Sequence, residues 1–283
     1  MPVDYEAEYN NRARVPEHPA IFARWAREAE DYRAEAMKER RAELALRYAE
    51  SPRRFIDLFS APAGAASAAS APLALFIHGG YWRSLEPSLF SHMARGINAR
   101  GVSVAVVGYD LCPQATIAEI IDQIRRACLF LWLRTGQRMM VYGHSGGGHL
   151  AGAMVATDWQ ALYPKAADLV PAAYSISGLF DLTPLIGISM NQDLRLDEHS
   201  ARDASPLFWP APKGRVFDAA VGSLESSEFL RQSGIIVETW GKDGAATRYQ
   251  EIPGSNHFTV IDALTDPASA MVGRLAELAR KVQ

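Results

Sequence analysis

The segment Gly143-His144-Ser145-Gly146-Gly147 constrains this chain more than any other, because of what flanks it. Residues 138–142 (Arg-Met-Met-Val-Tyr) have the apolar character of a buried strand, and residues 148–156 form a run of small residues suited to a closely packed helix. G-x-S-x-G at a sharp strand-to-helix turn is a nucleophile elbow, which belongs to an open, mostly parallel sheet with the serine at a strand's carboxyl end. The glycines are required because the serine's backbone is strained there and its neighbours are pressed close. The turn lifts the Ser145 hydroxyl out of the sheet and sets the Gly146 amide where an oxyanion would form.

A second motif, His78-Gly79-Gly80-Tyr81-Trp82, follows the apolar run 72–77. A Gly-Gly turn at a strand end presents backbone N–H donors that no side chain obstructs, as stabilising an oxyanion requires. These donors are assigned to Gly80 and Tyr81, with Gly79 as a further candidate, beside Gly146.

From residue 72 the pattern alternates. Strands are expected near 73–78, 102–108, 138–143, 171–177, 214–221 and 247–252. Helices are expected near 87–100, 116–135, 145–157, 224–234 and 266–281. Such alternation predicts an α/β fold, a mostly parallel central sheet with helices on both faces. An earlier strand is expected at 53–59, and the Ala/Ser/Gly/Pro-rich stretch 61–71 reads as a loop. Apolar residues recur at helical spacing through 20–49, so residues 1–50 are expected as an N-terminal helical segment packed on the core, either covering the site or forming a dimer contact. Residues 51–283 then form a single domain. The section 181–212 breaks the rhythm and reads as a small cap.

Serine needs a base, and the base needs an orienting acid. Of seven histidines, His257 lies in Pro253-Gly254-Ser255-Asn256-His257-Phe258, between the last strand and the last helix, where the chain order Ser, acid, His places it. The acid falls among Asp218, Glu225, Glu228 and Asp243; position after a strand end favours Glu225. Trp82, Phe180, Phe208 and Phe258 are candidates to line a flat substrate pocket, and Asn191 and Ser205 to hold a polar substrate end.

Composition excludes several classes. The 283 residues are 48% hydrophobic and 22% charged with net charge −3, which gives no electrostatic basis for binding nucleic acid or an anionic membrane. No apolar run approaches the roughly 18 residues of a membrane span. The start, Met-Pro-Val-Asp-Tyr-Glu, lacks a signal peptide's basic and apolar regions. Two cysteines, Cys112 and Cys128, suit free thiols in a cytoplasmic protein. Neither H-x-H nor H-E-x-x-H spacing occurs, so neither a metal nor a cofactor is expected.

These residues together resemble the arylformamidase (kynurenine formamidase) branch of the α/β-hydrolases, near the hormone-sensitive-lipase-like esterases. His78-Gly79-Gly80-Tyr81-Trp82 is similar to the branch's H-G-G-x-W motif, Tyr109-Asp110-Leu111-Cys112-Pro113 to its Y-x-L-x-P stretch, and Gly143 to Gly147 to its elbow, with Gly146 where alanine is usual. The run 225–233 resembles its acid segment, which selects Glu225 over its rivals, with Glu where eukaryotic members have Asp. Asn256-His257-Phe258 is similar to its histidine loop. The resemblance implies a serine hydrolase with a Ser145–His257–Glu225 triad acting on an aryl formamide or related amide, such as N-formyl-L-kynurenine. The alternatives are a carboxylesterase on short-chain or aryl esters and a non-catalytic ligand-binding protein on the same fold. The run Glu8-Tyr9-Asn10-Asn11-Arg12 is like that of bacterial relatives whose substrate is unsettled.

Overall fold

The computed structural model describes residues 2–62 and 71–283, and most of the loop expected at 61–71 lies outside them. Two short helices, α1 (Tyr5–Tyr9) and α2 (Asn11–Arg14), precede a long one, α3 (His18–Lys38). Strands β1 (Ala42–Arg47), β2 (Phe55–Phe59) and β3 (Leu73–Ile77) follow. A 3₁₀ segment, Pro87–Ala94, runs into α4 (Arg95–Ala99) and then β4 (Ser103–Val107), α5 (Ile117–Thr135), β5 (Met139–His144), α6 (Gly146–Ala156), α7 (Trp159–Leu162) and β6 (Ala172–Ile176). After β6 come the short helices α8 (Asn191–Leu194) and α9 (Glu198–Asp203), then β7 (Val216–Gly222), α10 (Ser227–Lys242), β8 (Ala246–Ile252) and α11 (Ala270–Lys281).

The eight strands form one sheet in the order β1-β2-β4-β3-β5-β6-β7-β8. The β1–β2 and β2–β4 pairs are antiparallel, and the rest are parallel. Strands β3, β4 and β5 are buried along their whole length, as strands covered on both faces must be. Alternate residues feed two cores. Leu73, Leu75 and Ile77 pack on one face with residues of α5, α6 and α10, while Ala74 and Phe76 pack on the other with residues of α3, α4 and α11. The ends of α5 are set by chemistry the sequence carries openly: a Thr116/Glu119 capping box at its start and Gly136 in the left-handed region at its end. Among the described residues no helix is long and apolar enough to cross a membrane.

Three elements depart from expectation. The N-terminal helix stops at Lys38, and 42–47 is a strand paired with β2, so it belongs to the sheet and not to the helical segment. Its residues alternate between half-buried and exposed, with Leu44 and Leu46 facing in; helical spacing upstream masked that period of two. Helix α10 runs eight residues beyond the expected end because Ile236 and Trp240 continue its buried stripe past Gly234. The helix expected at 87–100 divides into the 3₁₀ segment and α4.

Candidate active site

The carboxyl ends of the parallel strands assemble the site, as open α/β sheets do. Ser145 sits between β5 and α6 at φ 56° and ψ −119°, outside the comfortable regions for a side-chain-bearing residue. Its N–H is anchored to the Ile176 carbonyl at the end of β6, at 2.8 Å. The flanking glycines allow the turn: a Cβ on Gly143 would lie 2.2 Å from the Gly147 carbonyl oxygen, and one on Gly147 would lie 2.0 Å from that of Ile77. No side chain fits at either position.

Three side chains lie in line. The Ser145 hydroxyl is 3.0 Å from His257 Nε2, and His257 Nδ1 is 2.6 Å from Glu225 Oε2. A carboxylate only accepts, so Nδ1 carries the proton and Nε2 presents its lone pair to the serine. The other carboxylate oxygen of Glu225 accepts from the Gly222 N–H at 2.7 Å and from the Ser177 hydroxyl at 2.5 Å. The carboxylate is therefore held on both oxygens and fully buried. Glu225 lies just past β7 and His257 past β8, on loops leaving neighbouring strands. The imidazole is flanked by Phe229 and His144, ring centres at 4.5 and 4.9 Å. His144 Nε2–H also donates to the His257 carbonyl at 2.8 Å, tying the histidine loop to the nucleophile's own strand. Burial first, and the neighbouring His257 second, hold the His144 pKa well below its ordinary value, so it stays neutral.

The 78–82 turn lies alongside. Gly80, Tyr81 and Trp82 all have positive φ, at 110°, 50° and 56°. The Gly80 carbonyl accepts from the N–H groups of Arg83 and Ser84, and the Trp82 carbonyl from that of Cys112. Among the described residues the N–H groups of Gly80, Tyr81 and Gly146 donate to no acceptor. His78 stacks on Tyr109 at 4.4 Å, and its Nδ1–H donates to the Gly79 carbonyl. Burial depresses its pKa to about 3.

A cavity of about 90 Å³ opens beside Ser145 and His257, lined in part by Gly80, Tyr81, Met190 and Phe258. Three of the four expected pocket aromatics are elsewhere. Trp82 is fully buried because its left-handed backbone turns the indole inward, edge-on to His149 at 4.9 Å. Phe180 is buried against Gly152 and Phe217. Phe208 lies on the surface under the Arg202 guanidinium. Asn191 and Ser205 bond backbone groups within the cap: Asn191 those of Ile186 and Leu196, Ser205 those of Leu182 and Ala201. Two of the rival acids are otherwise engaged, Asp218 with Arg274 and Glu228 with Arg231 and Tyr9, and the third, Asp243, lies at the far end of α10.

Sequence reasoning left the N-terminal segment between covering the site and forming a dimer contact, and named none of its lining residues. Tyr9, Asn10, Asn11, Arg12, Phe22 and Trp25 line the cavity from that segment. Sequence reasoning also missed Ser177, a strand-end serine at φ 54° that bonds Glu225. The family resemblance of the 8–12 run was the one available signal for the former; nothing local marks the latter.

The comparisons follow this geometry. The BD-FAE family model matches residues 56–191, a span that includes the elbow and stops before Glu225 and His257. A crystal structure of a candidate thioesterase from Silicibacter sp. superposes with TM-score 0.82 at 33% identity, covering 96% of this chain and 98% of that one. Kynurenine formamidases of Salmo salar and Danio rerio are 29% and 28% identical, over 69% and 71% of this chain and 68% and 70% of theirs. The chain belongs to the arylformamidase-like α/β-hydrolases. A hormone-sensitive lipase from a metagenome library shares the α/β-hydrolase fold at TM-score 0.67 and 19% identity, over 86% of this chain and 85% of that one. A serine hydrogen-bonded to an imidazole that a buried carboxylate orients is, in general, an arrangement able to turn a weak hydroxyl into a nucleophile.

Proposed function

We propose that this chain is a serine hydrolase that cleaves an aryl formamide or related amide, N-formyl-L-kynurenine or a compound like it. The observation that carries the reading is the unbroken hydrogen-bond line from Glu225 through His257 to Ser145. The likeness to kynurenine formamidases supplies the substrate class.

Ser145 Oγ attacks the formyl carbon as His257 Nε2 takes its proton. The carbonyl oxygen, now an oxyanion, accepts hydrogen bonds from the N–H groups of Gly80, Tyr81 and Gly146. Glu225 stabilises the imidazolium and holds its tautomer without taking the proton. The C–N bond breaks as His257 protonates the departing amine. Water then attacks the formyl-enzyme with His257 again as base, releasing formate and restoring Ser145. No step calls for a metal ion or cofactor. Residues 181–212 act as a cap, and the segment before β1 covers the site.

The test is kcat/KM on N-formyl-L-kynurenine beside p-nitrophenyl acetate, with Ser145→Ala as control. About 10⁴ M⁻¹s⁻¹ or more on the formamide, lost in the variant, supports the reading. Ester turnover with the formamide untouched would make the protein a carboxylesterase. The absence of a fluorophosphonate adduct at Ser145 would make it a non-catalytic binder.

A further inference from the structure

The run 8–12 has no part in the steps above, yet it is built into the site from several sides. The Glu8 carboxylate accepts from the Ser227 hydroxyl at 2.7 Å and the Glu228 N–H at 3.0 Å. The Tyr9 hydroxyl donates to Glu228 at 2.8 Å and accepts from Gln232 Nε2 at 3.0 Å, and the Tyr9 carbonyl accepts from the Tyr81 hydroxyl at 2.8 Å. Asn10 caps α2 through the Ala13 N–H. The backbone that carries Arg12 is thus fastened before any substrate arrives.

Arg12 lines the cavity and has no ion-pair partner among the described residues. Its neighbours differ: Arg14 reaches Glu8 at 4.0 Å, and Arg83, which also lines the cavity, is paired with Asp193. Among the described residues no Asp or Glu lines the cavity, so its wall carries two guanidiniums and no carboxylate. The Arg12 guanidinium lies 5.9 Å from the centre of the Phe22 ring, and Phe22 meets Phe258 edge to face at 5.1 Å. An aromatic wall with an uncommitted guanidinium at its edge suits a planar ring that bears an acid.

We infer that the substrate carries a carboxylate on or near an aromatic ring, and that Arg12 is the specificity-determining residue that binds it. The inference rests on the hydrolase reading and deepens it: the line of Ser145, His257 and Glu225 breaks the bond, and Arg12 selects which ring is presented. A guanidinium meets a carboxylate through two parallel N–H donors, which fixes the ring's orientation as well as its charge.

The test takes the protein with 2-, 3- and 4-acetoxybenzoate and their methyl esters as probes, each pair differing in a carboxylate against its methyl ester, with release of the acetyl group followed. The readout is the ratio of kcat/KM for the acid to that for its methyl ester. For at least one isomer, Arg12→Gln is expected to lower the ratio about tenfold or more, chiefly through KM, and Arg12→Lys to recover part of it. In the wild-type protein, raising salt to 0.5 M (a Debye length of roughly 4 Å) is expected to lower the ratio as well, a reading that needs no variant to fold. A ratio that neither Arg12→Gln nor salt moves by more than about twofold for any isomer overturns the role of Arg12 and leaves the hydrolase reading standing. If none of the six esters is hydrolysed and fluorophosphonate leaves Ser145 unlabelled, both readings fall.

Discussion

The wall that carries Ser145, Glu225 and His257 grows out of the sheet, whereas the wall facing it, Tyr9 to Arg12, is fastened on by side chains. On the first wall the anchors belong to strand ends: Ser145 N–H on Ile176, Glu225 on Gly222 and Ser177, and the His257 carbonyl on His144. On the second, Tyr81, Glu228 and Gln232 hold a segment far away in sequence. The proposed reacting groups are therefore set by strand ends of the sheet, and the proposed selecting surface by side-chain bonds to a segment distant in sequence. On this division, substitutions on the first wall are expected to act chiefly on kcat and those on the second chiefly on KM.

Four measurements test that separation. Ser145→Ala should lower kcat/KM by about 10⁴-fold or more on every substrate, with phosphonate labelling abolished. Glu225→Gln should lower kcat by about 10²- to 10⁴-fold with little change in KM, and Glu225→Asp by less. A KM effect as large as the kcat effect would break the division between the walls.

Acid acts on the first wall. Burial holds His78 near a pKa of about 3 and His149 near about 4, both neutral in the folded protein. The unfolded chain takes up these protons near pH 6.5, so folding stability is complete above that pH and falls as pH drops toward 4. The expected slope is about 1 kcal/mol per pH unit for each histidine between pH 6 and 5. Thermal melts across that range would show it, and His149→Gln should flatten the curve. On the second wall, burial raises the Glu228 carboxyl, but its hydrogen bonds from Arg231 and Tyr9 outweigh this and lower its pKa. That clamp contributes above the ordinary carboxylate range and is lost only as pH falls below it. Stability that held steady to pH 4.5 would contradict the order in which the walls respond.

The smallest effect belongs to Tyr9→Phe. It removes one hydroxyl from between Glu228 and Gln232 and should destabilise by about 1–2 kcal/mol. On the aryl substrate it should raise KM more than it lowers kcat; an effect on kcat alone would place Tyr9 with the chemistry.

How much of this was legible depends on how far each contact reaches along the chain. Ser145 and the 78–82 turn are written in five-residue motifs beside apolar strands, and His257 in a loop whose place in chain order is set by the fold. Glu225 needed more, because position alone left Asp218, Glu228 and Asp243 in contention, and the family resemblance separated them. Strand β1 was hidden by its neighbours: the charged helix before it has apolar residues at Tyr32 and Ala36, and Leu44 and Tyr48 extend that series at helical spacing. Trp82 was misplaced because motif position fixes the backbone and says little about rotation, and a left-handed φ sent the ring inward. Tyr9 and Asn11 meet the site through partners 70 or more residues away, a distance that no local pattern records.

Tyr81 belongs to both walls. Its backbone is part of the strained 80–82 turn, and its hydroxyl pins the carbonyl of Tyr9 while accepting a hydrogen from Asn11 Nδ2 at 3.4 Å. Door and latch are one residue: any change in how the N-terminal segment sits would be felt at the 80–82 turn through a single hydroxyl.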